Sequence, residues 1–260
     1  MRSSLTLILP LLLAGICQVQ LQSTYPIYQI IGDISALSED AQASVQSVRD
    51  EDFEFAQRRP DSVKINGNPD CNRVAITLDE GPGENTQKLL DILEQYQVKA
   101  TFFVVGSHIA DYKDVLIKAY EQGHTIGAHS WDHRDYRTLS EDELQDDISK
   151  TENEIKDAIG VVPNLVRPPY ATINDAVVDV LDKNNVKTIL WSLDSQDGVV
   201  KDPQTLAEQI LKEVRPGEII LLHHYQSTVD VLPLLIEGLQ AQQFALATVD
   251  QLLEIEAYKQ

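Results

Sequence analysis

The segment Val74-Ala75-Ile76-Thr77-Leu78-Asp79-Glu80-Gly81-Pro82 runs a short apolar stretch directly into two adjacent carboxylates and a Gly-Pro turn. Apolar and β-branched residues over so short a span predict a strand from Val74 to Leu78, ended by the turn. Downstream, the same unit recurs with helical stretches between. Further strands are predicted over Ala100 to Val105, Thr125 to Ala128, Leu165 to Val166, Lys187 to Leu193 and Glu218 to Leu222. Amphipathic spacing predicts helices over Thr86 to Tyr96, Asp114 to Gln122, Glu141 to Ile159, Asn174 to Lys183, Pro203 to Val214 and Val229 to Gln242. Ser140 followed by Glu143 predicts a capping box on the third of these. Strand and helix in regular alternation point to a parallel α/β architecture, a barrel or an open sheet. In a barrel, chemistry gathers on the loops at the C-terminal strand ends, and the polar clusters of this chain follow its strands.

Upstream of Cys71 the character differs. Arg2, the apolar run from Leu5 to Ile16, and the polar residues after it read as a secretory leader over 1–20, too short for a membrane span. Residues 21–70 are rich in Gln, Ser and Asp, close on Asn66-Gly67-Asn68-Pro69, and read as an extension or linker with one helix from Glu39 to Glu54. The catalytic domain is then expected over 71–257. Loss of Cys17 with the leader would leave Cys71 unpaired, buried as a small apolar residue or bridging two chains. No Asn-x-Ser/Thr acceptor and no hydrophobic C-terminal tail occur. The expectation is a secreted monomer without a membrane anchor, working outside the cell or in the wall. A net charge of −20 argues against nucleic acid and anionic membrane surfaces as partners.

Five polar clusters carry candidate chemistry. Asp79 and Glu80 end the first strand of the alternating region, and adjacent acids repel unless a cation compensates them. Alone, such a pair is also what an acidic surface turn looks like. His129-Ser130-Trp131-Asp132-His133 places two imidazoles four residues apart; on one helical turn both rings would reach one metal ion. With a carboxylate from another strand end they would form a two-His, one-carboxylate site. Val166-Arg167-Pro168-Pro169-Tyr170 offers a permanent charge on a stiff backbone. Trp191-Ser192-Leu193-Asp194-Ser195-Gln196-Asp197 and Leu221-Leu222-His223-His224 complete the set.

These clusters, in this order over Val74 to Leu253, resemble the five motifs of the polysaccharide deacetylase family, the NodB-homology domain that includes chitin and peptidoglycan deacetylases. The segments Ala100 to Gly106 and Gly123 to Gly127 resemble its connecting strands. The resemblance implies a distorted parallel (β/α) barrel and metal-dependent hydrolysis of N-acetyl groups on N-acetylglucosamine polymers, chitin or its oligomers, with release of acetate. It implies one divalent ion, zinc or cobalt, held by Glu80, His129 and His133. By motif position Asp79 is the general base, positioned by Arg167, and His223 is the general acid, oriented by Asp197. The Tyr170 N–H meets the oxyanion, and Leu221 lines the acetyl methyl pocket. Four positions depart from the pattern: Glu80 and His224 stand where the family has Asp, Gly198 where it has Trp, and Ala171 where it has Gly. Glu80 and Gly198 motivate a second expectation, a glycan-binding protein that has lost turnover; a third, an acetylxylan O-deacetylase, follows because the same water-activating site can hydrolyse acetyl esters.

Overall fold

A computed structural model describes residues 25–260. The leader expected over 1–20, with Cys17, lies outside the described residues.

Among the described residues nine strands form one sheet: β1 (Val63–Lys64), β2 (Arg73–Gly81), β3 (Thr101–Val104), β4 (Thr125–Ala128), β5 (Leu165–Val166), β6 (Lys187–Ile189), β7 (Leu193–Asp194), β8 (Ile219–His223) and β9 (Ala245–Ala247). Their order is β1-β6-β5-β4-β3-β2-β8-β7, with β9 beside the start of β2, and every pairing is parallel. The sheet curls into a partial barrel whose order ends at β1 and β7. Among the described residues eight α-helices accompany it: α1 (Glu39–Arg58), α2 (Thr86–Gln95), α3 (Lys113–Glu121), α4 (Glu141–Ile159), α5 (Asp175–Lys183), α6 (Pro203–Glu213), α7 (Gln226–Ala241) and α8 (Val249–Leu253). The distorted parallel barrel expected from the motifs is the fold observed.

Side chains of a strand alternate between faces, and β2 shows what this does for the site. Val74, Ile76 and Leu78 belong to the main core, shared with Leu89, Leu93, Leu232 and Leu235 of the surrounding helices. Ala75 packs in the smaller cluster with Phe103, Leu165, Ile189 and Ile219. Thr77 and Asp79 continue the Ala75 face, so the column that begins as apolar filling ends in a carboxylate at the C-terminal mouth.

Local signals held where they were strong. Ser140 accepts from the Glu143 N–H, and the Glu143 carboxylate accepts in return from the Ser140 N–H, the predicted capping box of α4. That helix ends on Gly160 at a φ of 81°, a left-handed stop that glycine adopts without a Cβ penalty. The predicted strand Val74 to Leu78 runs on to Gly81 as β2, and another predicted strand is divided. Lys187 to Leu193 divides into β6 and β7, because Leu190 donates to the Lys64 carbonyl while Ser192 donates to that of Ile219. The chain changes partner within three residues, and no straight strand can do so.

Part of the stretch read as an extension is structured. Helix α1 runs one turn beyond the predicted end and stops before Pro60, whose ring cannot continue it. Phe55 and Ala56 of α1 pack with Ile30, Val63, Ile65, Val178 and Leu190. Ile31 bridges Leu193 in parallel, covering the outer edge of β7. Cys71 corrects an expectation: it is disulfide-bonded, not a free thiol.

Candidate active site

At the mouth, a regular strand would send Asp79 and Glu80 to opposite faces. The register of β2 against β3 shifts between Asp79 and Gly81, and Glu80 takes a φ of 70°. This bulge breaks the alternation and re-aims the second carboxylate. Gly81 leaves room for the turn: a Cβ there would stand 2.3 Å from the His224 ring.

Arg167, at the end of β5, has no exposed surface. Its Nη1 donates to Asp79 Oδ1 and to Thr77 Oγ1, each at 2.7 Å, while Nε and Nη2 donate to the carbonyls of Ile189 and Leu190. The guanidinium lies over the Phe103 ring at 4.2 Å. Every face of this buried cation is therefore engaged, and the charge of Asp79 is compensated inside the barrel.

The histidine pair is brought together, but not by a helical turn. Residues 129–133 form an irregular loop with Ser130 and His133 at φ of 64° and 63°. The loop is closed by the His133 N–H donating to Ser130 Oγ and by the Trp131 N–H donating to Asp147 Oδ1. Two left-handed residues return the chain on itself, and the ring centroids end 5.0 Å apart. His129 Nδ1 lies 2.7 Å from the Arg167 carbonyl, an acceptor only, so Nδ1 carries the proton and Nε2 offers its lone pair toward Asp79 Oδ2, 4.0 Å away. Burial pulls the His129 pKa down to about 4, outweighing the nearby Asp79 charge, which keeps the ring neutral. His133 Nε2 lies 3.5 Å from Glu80 Oε1, and its Nδ1 meets the Tyr170 hydroxyl at 3.1 Å.

Two imidazole nitrogens and a carboxylate make a donor set that suits zinc. Donors at about 2.1 Å from a tetrahedral ion stand roughly 3.4 Å apart, close to the His133–Glu80 separation. Among the described residues no three His, Cys, Asp or Glu side chains stand together as a group that could hold a metal ion. As a donor set, the residues fit the metal that the motifs imply.

Across the mouth, at the end of β8, His223 Nδ1 bonds Asp197 Oδ1 at 2.8 Å, and the His223 N–H donates to Asp197 Oδ2 at 2.7 Å. Thr228 Oγ1 donates to the same Oδ2, so Asp197, 1% exposed, is fixed from three directions. Burial acts to lower the His223 pKa, but the hydrogen bond and charge of Asp197, with Asp79 and Glu80 beyond, raise it to about 9. His224 points elsewhere: its Nδ1 lies 2.6 Å from the Asp79 carbonyl, and burial draws its pKa down to about 4. Tyr225 was not singled out in the sequence. Its ring stacks on His223, with centroids 4.9 Å apart and planes at 16°, and its hydroxyl donates to Glu80 Oε2 at 3.2 Å. An aromatic directly after two histidines at a strand end was the only available signal.

Tyr170 stands 61% exposed at a φ of 59°, on the rim of the site, and Leu221 is buried on β8 beside Thr77. Asp194, from the fourth cluster, is not in the site: it pairs with Arg49 of α1 at 3.2 Å.

The family model for polysaccharide deacetylase matches residues 66–212. Among curated proteins, YlxY of Bacillus subtilis, itself uncharacterized, is 32% identical over 79% of this chain and 67% of its own. The peptidoglycan-N-acetylglucosamine deacetylase PgdA of Listeria monocytogenes is 32% identical over 74% of this chain but only 42% of its own length. Among solved structures, the peptidoglycan N-acetylglucosamine deacetylase Bc1960 superposes with a TM-score of 0.76 at 29% identity, covering 79% of this chain and 99% of that one. BA3943 of Bacillus anthracis, described as a CE4 family pseudoenzyme, gives 0.70 at 29% over 74% and 68%. The chitin deacetylase of Colletotrichum lindemuthianum gives 0.71 at 27% over 76% and 95%.

Proposed function

The chain belongs to the polysaccharide deacetylase family, and from that membership we propose that it removes N-acetyl groups from N-acetylglucosamine polymers, chitin or its oligomers, releasing acetate. The observation that carries this reading is the division of the mouth into two sides. On one, Asp79 is compensated by Arg167 and faces neutral His129; on the other, Asp197 holds His223 charged. A carboxylate fixed beside a buried cation, facing an imidazole held protonated, is the base and acid pair that amide hydrolysis needs. Relatives that act on peptidoglycan make its glycan strands, also built with N-acetylglucosamine, a second polymer to assay.

Glu80, His129 and His133 would hold one divalent ion, zinc with cobalt as a substitute. When bound, the ion lowers the pKa of a water and polarises the acetyl carbonyl. Asp79, its second oxygen unclaimed by Arg167, accepts the proton of the attacking water. The Tyr170 N–H donates to the developing oxyanion, and Leu221 lines the methyl pocket. His223, protonated at neutral pH, passes its proton to the leaving amine while Asp197 stabilises the imidazolium. The proposed setting is outside the cell or in the wall, with the enzyme acting as a monomer; no helix among the described residues is long and apolar enough to cross a membrane.

Incubation with chitin oligomers and zinc should release acetate, and His129→Ala should abolish both zinc binding and release. Retained metal content and activity in His129→Ala would defeat the ligand assignment. A second reading is favoured by one specific observation: Glu80 departs from the family's aspartate, and BA3943, of the same fold, is a pseudoenzyme. Under that reading the chain binds oligomers tightly with no acetate released by the zinc-loaded protein.

A further inference from the structure

Two of the departures from the family pattern, Glu80 and Gly198, meet at one side chain. A Cβ on Gly198 would stand 3.3 Å from Tyr225 Cε2, a tight contact to which the Tyr225 ring would have to yield by a few tenths of an ångström. With glycine at 198 the ring lies flat on His223, and Lys201 Nζ stands 5.5 Å from its centroid. The hydroxyl then reaches Glu80 Oε2, leaving Oε1 toward His133. An aspartate is shorter by one methylene, about 1.5 Å of reach, and could not meet that hydroxyl from the same backbone.

We propose that Tyr225 is a positioning residue whose hydroxyl holds the longer Glu80 carboxylate in its ligating pose and whose ring orients His223, in space that Gly198 leaves open. Glu80, Gly198 and Tyr225 thus act as one linked set, in which the extra methylene is restrained by a hydrogen bond. The inference rests on Glu80 being a metal ligand. A carboxylate with one oxygen fixed by a hydroxyl donor loses less freedom on binding an ion, and partners of this kind set ligand orientation and affinity.

The test is a cycle of zinc titrations by calorimetry on the whole chain and on Tyr225→Phe, Glu80→Asp and the double variant. Phenylalanine keeps the stacked ring and removes only the hydroxyl. With Glu80 present, Tyr225→Phe should weaken zinc binding by on the order of tenfold to a hundredfold; with Asp at 80 the same change should do almost nothing. An equal loss in both backgrounds, or no loss with Glu80, overturns the inference. Acetate release from chitin oligomers, measured alongside, separates the two readings. Coupled zinc affinity without release removes the deacetylase reading and leaves Tyr225 in place. Release without coupling removes the Tyr225 inference alone. A folded chain that binds no zinc overturns the inference whatever the release.

Discussion

Arg167 Nη1 donates to Asp79 Oδ1 at 2.7 Å with the guanidinium wholly buried, so the pair is a charge compensation built inside the barrel. Replacing Arg167 with Met leaves Asp79 buried without its cation and strips donors from Thr77, Ile189 and Leu190. Breaking one partner of a buried pair costs about 3–5 kcal/mol. Chemical denaturation should report a loss of that size near neutral pH, and a loss under about 1 kcal/mol would mean that solvent already compensates the carboxylate.

As the proposed acid, His223 should set the alkaline limit of activity. Its pKa stands at about 9 in the folded chain against an ordinary 6.5. A raised value means the folded state binds the proton more tightly. The associated stability is fully present below pH 6.5 and is lost as pH rises through about 9. Acetate release should fall over the same alkaline range, because the neutral ring has no proton to give. Asp197→Asn should move the limit down toward 6.5 or below, as followed by NMR titration of the His223 ring and by the pH–rate profile. An unmoved limit would exclude His223 as the acid.

Gly81 is fixed by a neighbour. A methyl group at that position would stand 2.3 Å from the His224 ring, which is itself held by the Asp79 carbonyl. Overpacking of this kind costs about 1–3 kcal/mol, so Gly81→Ala should lower the melting temperature. It should also reduce zinc affinity, since Glu80 is the adjacent residue. An unchanged melting temperature would mean that His224 can move at little cost.

Asp52 of α1 is 4% exposed and has one carboxylate oxygen with no partner among the described residues. Burial pushes its pKa to about 8, with Glu51 adding to the rise and Arg137 opposing it. Between the ordinary value of 3.8 and about 8 the unfolded chain gives up this proton and the folded chain keeps it. The stability tied to this group is therefore fully present below about pH 4 and is lost progressively up to about pH 8. Asp52→Asn should flatten that slope and raise the melting temperature most at pH 8. Equal effects at pH 4 and pH 8 would show that the carboxyl is not held protonated.

Much of the fold was written locally. The runs that became β4, β5 and α4 have the predicted limits, because each is decided by residues within a few positions: apolar spacing, the Ser140–Glu143 cap and Gly160. The short strands β1 and β9 are set by their pairing with β6 and β2, neighbours distant in the sequence. The site divides in the same way. Asp79, Arg167, Asp197 and His223 were legible as charged residues at strand ends, and the barrel brings those ends together.

What the sequence determined by itself is the order of elements and the identity of the chemical groups, since both depend on near neighbours along the chain. Only the tertiary structure decided how those groups meet. It aims Glu80 through a bulge against β3, closes the His129–His133 pair by a loop instead of a helix, and sends Asp194 to Arg49 and away from the mouth. It also lays Tyr225 between His223 and Glu80, a contact across 145 residues of chain. Each of these depends on positive φ values, register shifts or distant side chains that carry no local pattern, because the energy that selects them comes from burial and charge compensation after the sheet has closed around them.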